Sequence, residues 1–464
     1  MSLKRGITII FGANILNMIF QVLTNFLLPK YLGVDCYAEI KAFQLVVSYS
    51  GVLHLGYVDG MYLKYGGKKI DEANRMALKT DLITFLMFQF ALLCGLLTIA
   101  SSLKDTTLMF EVLAVFPLNI TSCIALLFQA TGEFESYARI TNFTTILMFA
   151  ANMCLLLVRC YGNYNLYLIS YVGIDYIIMI LCVARLKKLS TFSMKFEAVR
   201  FSISCLFSNI KNGFFLMLGN FSSSILTGMD RWFIKFLMDN TAFAMYSFAV
   251  SMESLMSVAV TPVSTTLYNY LCVHEDSITL KDIKGKIILF ATAIVSCAFP
   301  AKFVLETFLT KYISATSVIF YLFSAQIFYI VVKCYYVNLY KAQKRQKIYF
   351  IKLVTVIVLG FLLNAGLYTV IRAKEAFAIG TMFCGVVWYI LSEMDFYLLR
   401  STWKENTFLA LTTASYLLLG VFTESLVGFV LYVMLLTIYS LIFMKKDVCD
   451  CIQIIVKLTN KGKK

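Results

Sequence analysis

The sequence predicts an all-α, polytopic membrane protein of twelve to fourteen transmembrane helices. Of its 464 residues, 60% are hydrophobic and 14% are charged, where a soluble domain carries about 25% charged residues. Mean hydropathy is +0.79. Apolar runs of about 20 residues, the length a bilayer core requires, recur from end to end, and the chain has only 4 prolines.

In order, the expected spans are 6–28, 40–62, 80–101, 108–130, 138–158, 164–184, 204–229, 242–265, 285–307, 314–338, 349–370, 376–399, 407–422 and 425–443. The first is too long for a signal-peptide core and ends without a cleavage signature, so it is expected to stay as a span. The last two are separated only by "FTES" and alternatively form one re-entrant pair, which sets the lower count. An even number places both termini on one side. With span-edge cations assigned to the nearer connection, the N-terminal side holds 30 of the 41 Lys and Arg residues and the other side 10, with Lys333 inside a span. That threefold bias makes the N-terminal side cytoplasmic. It also argues against nucleic acid as the partner of the +15 net charge, since the charge is spread over short connections.

The 13 cysteines are odd in number and mostly lie inside apolar runs (Cys94, Cys123, Cys154, Cys182, Cys297, Cys384), with no CxxC or His-rich spacing. They read as small packing residues, not as a disulfide framework or metal site. No cofactor is expected.

The longest hydrophilic connection, 186–211, separates an N-terminal six-helix lobe (1–185) from a second one (212–400). An extra helix pair and a basic tail follow at 401–464. A shift of 205 residues aligns "NFLLPKYL" with "DRWFIKFL", pairing Asn25 with Asp230, Lys30 with Lys235 and Phe43 with Phe248. The helix faces strengthen this sign of pseudo-symmetry. At 100° per residue, Asn14, Asn17, Gln21, Thr24 and Asn25 fall on one face of span one. Span seven does the same with Asn209, Asn212, Gly219, Asn220, Ser223, Thr227 and Asp230. Lipid cannot satisfy amides, and burying one unpaired costs about 2–7 kcal/mol. The stripes must face other helices or water. Packed helix interfaces use such residues too, but two full-length stripes, each opening its half, favour a shared aqueous cavity.

Span two carries "SYSGVLHLGYVDGMYLKYGGKK". If it is one continuous helix, Lys41 and Asp59 lie on one face about 27 Å apart, with His54 turned about 140° from Asp59. Either the helix bends at Gly51 and Gly56, or His54 packs against a neighbour. Lys64 is expected to snorkel to the cytoplasmic surface without a role. Asp175, Glu253 and Lys333 lie inside spans and Arg231 at the end of one; such residues mark pathways or pair structurally.

The segments "GANILNMIFQVLTNFLLPKYLGVDCYAEIKAFQLVVSYSGVLHLGYVDG", "GNFSSSILTGMDRWFIKFLMDNTAFAMYSFAVSMESLMSVAVTPVSTTLY" and "NLYKAQKRQK" carry a family resemblance. In layout and short consensus the chain resembles the polysaccharide (oligosaccharide-lipid) flippases of the multidrug/oligosaccharidyl-lipid/polysaccharide exporter superfamily. The resemblance implies a pair of six-helix lobes alternating access, with an extra C-terminal helix pair in some relatives. It also implies an undecaprenyl-pyrophosphate-linked sugar moved across the bacterial cytoplasmic membrane for O-antigen or capsule assembly. Membrane lipids, and a polysaccharide polymerase with chain-length proteins, are the corresponding partners. A pyrophosphate calls for Lys and Arg donors, offered by Lys41, Arg231 and Lys333. Sugar hydroxyls call for Asn14, Asn17, Gln21, Asn25, Asn212, Asn220 and Ser223. His54, Asp59, Asp230 and Glu253 are candidates for exchanging a proton or sodium ion.

An ion-coupled multidrug or organic-cation antiporter of the same superfamily is the first rival, and its cavity should be acidic and aromatic. A membrane polysaccharide polymerase or glycosyltransferase is the second, but every outer connection here is shorter than about 20 residues. No Ser-His-Asp, HExxH or P-loop arrangement points to an enzyme.

Overall fold

The computed structural model describes residues 3–68, 75–189, 201–271 and 276–461, without the side chains of 3–14, 75, 269, 277 and 454–461. The described residues contain helices and no strand. The chain forms two compact units, Met1–Ser224 and Ile225–Lys464.

The first unit opens with α1 (Leu3–Tyr31), then α2 (Val34–Val47) and α3 (Tyr57–Tyr65), separated by a 3-10 turn at Ser50–His54. Four long helices follow: α4 (Arg75–Leu103), α5 (Thr106–Ala130), α6 (Phe134–Leu157) and α7 (Tyr164–Leu189). Asp105 starts α5 as an N-cap, its side chain accepting from the N–H groups of Thr107 and Leu108. The core is an apolar cluster that includes Tyr57, Met61, Phe85, Ile124, Phe128 and Ile174.

Helix α8 (Ile203–Leu237) continues into the second unit, with α9 (Asn240–Ser254), α10 (Ser257–Leu271), α11 (Ser277–Ile294) and α12 (Ala298–Thr307). Next come α13 (Thr316–Val331) and α14 (Val337–Ala342), joined through a π turn at Val332–Tyr336, then α15 (Gln346–Ile371) and α16 (Glu375–Asp395). The order ends with α17 (Trp403–Phe422), α18 (Ser425–Phe443) and α19 (Lys445–Lys461). Rings hold the last pair onto this unit: Phe299 of α12 lies 5.8 Å from Tyr416 and 5.7 Å from Tyr432. Lys302 caps the end of α17, donating to the carbonyls of Gly420 and Thr423.

All fourteen expected spans coincide with a helix or a run of shorter helices. Among the described residues, nine helices are long and apolar enough to cross a bilayer. A tenth arises when α9 and α10, bent by 42°, count as one span. The chain is a multi-pass membrane protein. Of the four expected spans outside that set, α2 and α3 are short pieces and α8 and α17 carry amides or charges, while α1 is described with side chains only from Ile15 onward and is not tested. A shift of 205 residues carries the 3-10 turn of the first unit onto the α9–α10 bend of the second.

Candidate functional site

The second span takes the bent option, with the break at residues 50–56. Leu55 and Gly56 both adopt left-handed φ, 53° and 84°. Glycine tolerates this and leucine does so at a cost of about 1–2 kcal/mol, so α2 cannot run on into α3. The break reorients His54. Its Nδ1 lies 3.9 Å from Asp59 Oδ2, not on the far side of a helix. Gly56 N–H donates to the same Nδ1 at 3.2 Å, so in this arrangement Nδ1 accepts and the neutral ring carries its proton on Nε2.

Helix α8 is pressed against the break. A Cβ at Gly56 would sit 2.8 Å from Phe214 N, and one at Gly60 or Gly213 would collide with the backbone opposite. Three glycines therefore allow two helix backbones to touch, and that approach brings Asn220 Nδ2 to 3.2 Å from Asp59 Oδ1. His54 and Asp59 are each 6% exposed. They border a cavity of about 200 Å³ whose walls include Ser48, Tyr49, Ser122, Asn220, Phe221 and Ser224. One wall is aromatic, with the rings of Tyr49 and Phe221 edge to face at 6.1 Å. The site combines a carboxylate, an imidazole, an amide and four hydroxyls. It can hold a polyhydroxyl or cationic group against an aromatic face, and it can take up a proton.

Of the other residues expected in a cavity within this unit, none is among those walls. Asn17 is buried with its Oδ1 unpaired among the described residues. Gln21 and Asn212 are exposed, and Asn25 and Ser223 are half-buried. Lys41 is half-buried with its Nζ 5.4 Å from the Tyr37 ring. Asn14 lies in α1, its side chain outside the described residues.

The stripe on α8 is divided among three tasks. Asn220 serves Asp59, Asp230 serves the second unit, and Asn209 serves a cluster the sequence did not reveal. Asp81 of α4 is 1% exposed and accepts from Lys64 Nζ at 2.7 Å and Asn209 Nδ2 at 3.2 Å. Tyr65 OH and the Cys205 thiol complete its shell at 2.5 and 2.6 Å. Lys64, expected to snorkel without a role, pairs with a buried carboxylate while its side chain stays 40% exposed. The signal that was available is Asp81 itself, a carboxylate at the edge of an apolar run.

In the second unit, Asp230 accepts from Tyr246 OH at 2.6 Å, from Arg231 N–H at 2.8 Å and from Thr381 Oγ1 at 3.4 Å. Glu253 accepts from Gln326 Nε2 and feels the charges of Asp230, Lys333 and Arg231. Lys333 sits on the π turn with its Nζ 5.5 Å from the Tyr329 ring. Such turns inside helices are frequent at functional sites. Four of the expected site residues are thus brought into one cluster. Within it, Arg231 Nε is buried with no hydrogen-bond partner among the described residues. An orphaned buried donor costs about 1–3 kcal/mol, more when charged, and an anionic oxygen would satisfy it.

Neither a protein-family description nor any curated protein matches the sequence. Solved structures do match the fold. The chain is similar to the lipid II flippase MurJ in its inward closed conformation, at 14% identity and TM-score 0.73, over 96% of this chain and 99% of that one. It is also similar to a eukaryotic MATE transporter, AtDTX14, at 14% identity and TM-score 0.53, over 88% of this chain and 98% of that one. At this identity the likeness is one of fold: the chain has the all-helical architecture of these membrane transporters.

Proposed function

We propose that the chain is a flippase that moves a polyprenyl-pyrophosphate-linked oligosaccharide across the bacterial cytoplasmic membrane by alternating access, for O-antigen or capsule assembly. The orphaned Arg231 Nε carries the reading, with Lys333 a second cation acting on the same Glu253. A pyrophosphate entering a low-dielectric region needs fixed cationic donors in place of the water it loses, and this donor has no hydrogen-bond partner among the described residues. The cavity of the first unit suits a sugar, with hydroxyls and the Asn220 amide on one side and Phe221 on another. The fold likeness to a lipid II flippase supports the same reading, being greater in score and coverage than that to the MATE transporter. His54 and Asp59 supply the coupling. A proton arriving on Nδ1 displaces the Gly56 N–H and gives Asp59 an ionic partner, which ties occupancy to the backbone at the break. Both termini are cytoplasmic under this reading, and a polysaccharide polymerase with chain-length proteins acts downstream.

A second reading, an organic-cation antiporter, is favoured by one observation: Asp59 and the Tyr49–Phe221 wall together form an acidic, aromatic site. Charge reversal separates the two. Replacing Lys41, Arg231 and Lys333 singly by Ala and then by Glu is expected to reduce cargo engagement by about ten- to a hundredfold at each step. Surface glycan in a strain lacking its own transporter is the readout, at unchanged membrane abundance. Normal export from all three Glu variants would remove the anionic-cargo reading and leave the antiporter.

A further inference from the structure

Ser136, Arg139, Ile140 and Phe143 of α6 recur at intervals of three, one and three, as do Ile178, Leu181, Cys182 and Arg185 of α7. That spacing puts each set on one face of its helix. The two faces enclose a groove of about 250 Å³. It is polar at one end only. Arg185 Nε donates to Ser136 Oγ at 3.1 Å, so the start of α6 meets the end of α7, and the seven residues from there to Phe143 rise about 10 Å toward the bilayer interior.

We propose that this groove holds one anionic phospholipid, its phosphate on Arg139 and Arg185 and an acyl chain along Phe143 and Leu181. Charge selects the headgroup. Arg139 is paired with Glu135, whereas Arg185 has no carboxylate within ion-pair distance among the described residues, which leaves one positive charge for one phosphodiester. A zwitterionic headgroup would bring its own cation against two guanidinium groups. The apolar end matches a chain in lipid: Phe143 is 52% and Leu181 47% exposed, as surfaces bathed by acyl chains are. Lys187 and Lys188 in the last turn of α7 extend the basic surface, and the basic bias of these connections makes this the cytoplasmic leaflet. The inference rests on the membrane topology and not on the flippase assignment.

Native mass spectrometry of the full chain in detergent tests it, titrating dioleoyl phosphatidylglycerol, dioleoyl phosphatidylcholine and inorganic phosphate. The glycerol lipid is expected to form a one-to-one adduct at least tenfold more tightly than the choline lipid. The double variant Arg139→Ala/Arg185→Ala should lose that preference, Arg139→Lys/Arg185→Lys should keep most of it, and Leu181→Asn should weaken both lipids alike. Should the double alanine variant fail to fold, Arg139→Ala alone is read, since that side chain is 57% exposed; a threefold loss of preference is expected. Equal binding of the two lipids, an unchanged preference in a folded alanine variant, or inorganic phosphate binding as tightly as the lipid would each overturn the proposal.

Discussion

Replacing Asp81 by alanine is expected to destabilise the protein by about 3–5 kcal/mol, the scale for breaking a buried ionic cluster. Lys64 contributes little of this, because its side chain is 40% exposed and can turn to water. The loss comes from the inner donors. Without the carboxylate, Tyr65 OH loses its acceptor, and the Asn209 amide and Cys205 thiol keep only weak sulfur contacts with each other and with Tyr57 OH; each strong buried donor left unpaired costs about 1–3 kcal/mol. Helices α3, α4 and α8 meet at this one side chain, so the packing that carries Asn220 to Asp59 should loosen with it. Asp81→Asn keeps the shape and one acceptor and should cost about 1–2 kcal/mol. Lys64→Met should cost about 1 kcal/mol or less. Thermal midpoints of the purified chain measure all three. A double cycle with Asn209→Ala should be strongly non-additive; additive losses would mean that Asp81 and Asn209 do not act together.

Lys284→Ala should be as severe in the second unit. The lysine is fully buried, donates to Leu399 O at 2.9 Å and Ser401 Oγ at 3.0 Å, and stands 3.8 Å from Glu393 and 3.5 Å from Glu405. Truncation leaves two carboxylates, 14% and 12% exposed, facing each other without a cation. A cost of about 3–5 kcal/mol is expected. Because Lys284 ties α11 to the turn between α16 and α17, the damage should appear first there. Limited proteolysis should cut the 396–402 turn faster, before any change in total helicity. Lys284→Arg keeps the charge and should restore protection in part. A wild-type cleavage pattern in Lys284→Ala would refute this role.

The spans were legible because burial in lipid is written into composition: a run of about 20 apolar residues has few other uses. A bend at Gly56 was legible too, as one of the options for span two. What escaped was every polar pairing between distant segments. Asp81 meets Asn209 across 128 positions, and periodicity along one helix says nothing about a partner on another. The projection that set His54 opposite Asp59 failed for a local reason. It assumed unbroken helical φ, and two left-handed residues stand between them. The polar stripe on α8 was read as a surface needing partners, and three of its residues have them: Asn209 meets Asp81, Asn220 meets Asp59 and Asp230 meets Tyr246. Lys284 looked like one more cation in a cytoplasmic connection, and only packing shows that it is enclosed.

The most direct test of the account is transbilayer movement of a polyprenyl-pyrophosphate-linked oligosaccharide in vesicles containing the purified chain, read by oxidation of the exposed sugar with membrane-impermeant periodate. The account predicts that the chain accelerates movement well above protein-free vesicles, that Arg231→Glu and Asp59→Asn abolish the acceleration while remaining folded, and that an organic cation is not accumulated in the same vesicles. Movement no faster than in protein-free vesicles, together with proton-driven accumulation of the organic cation that depends on Asp59, would contradict it.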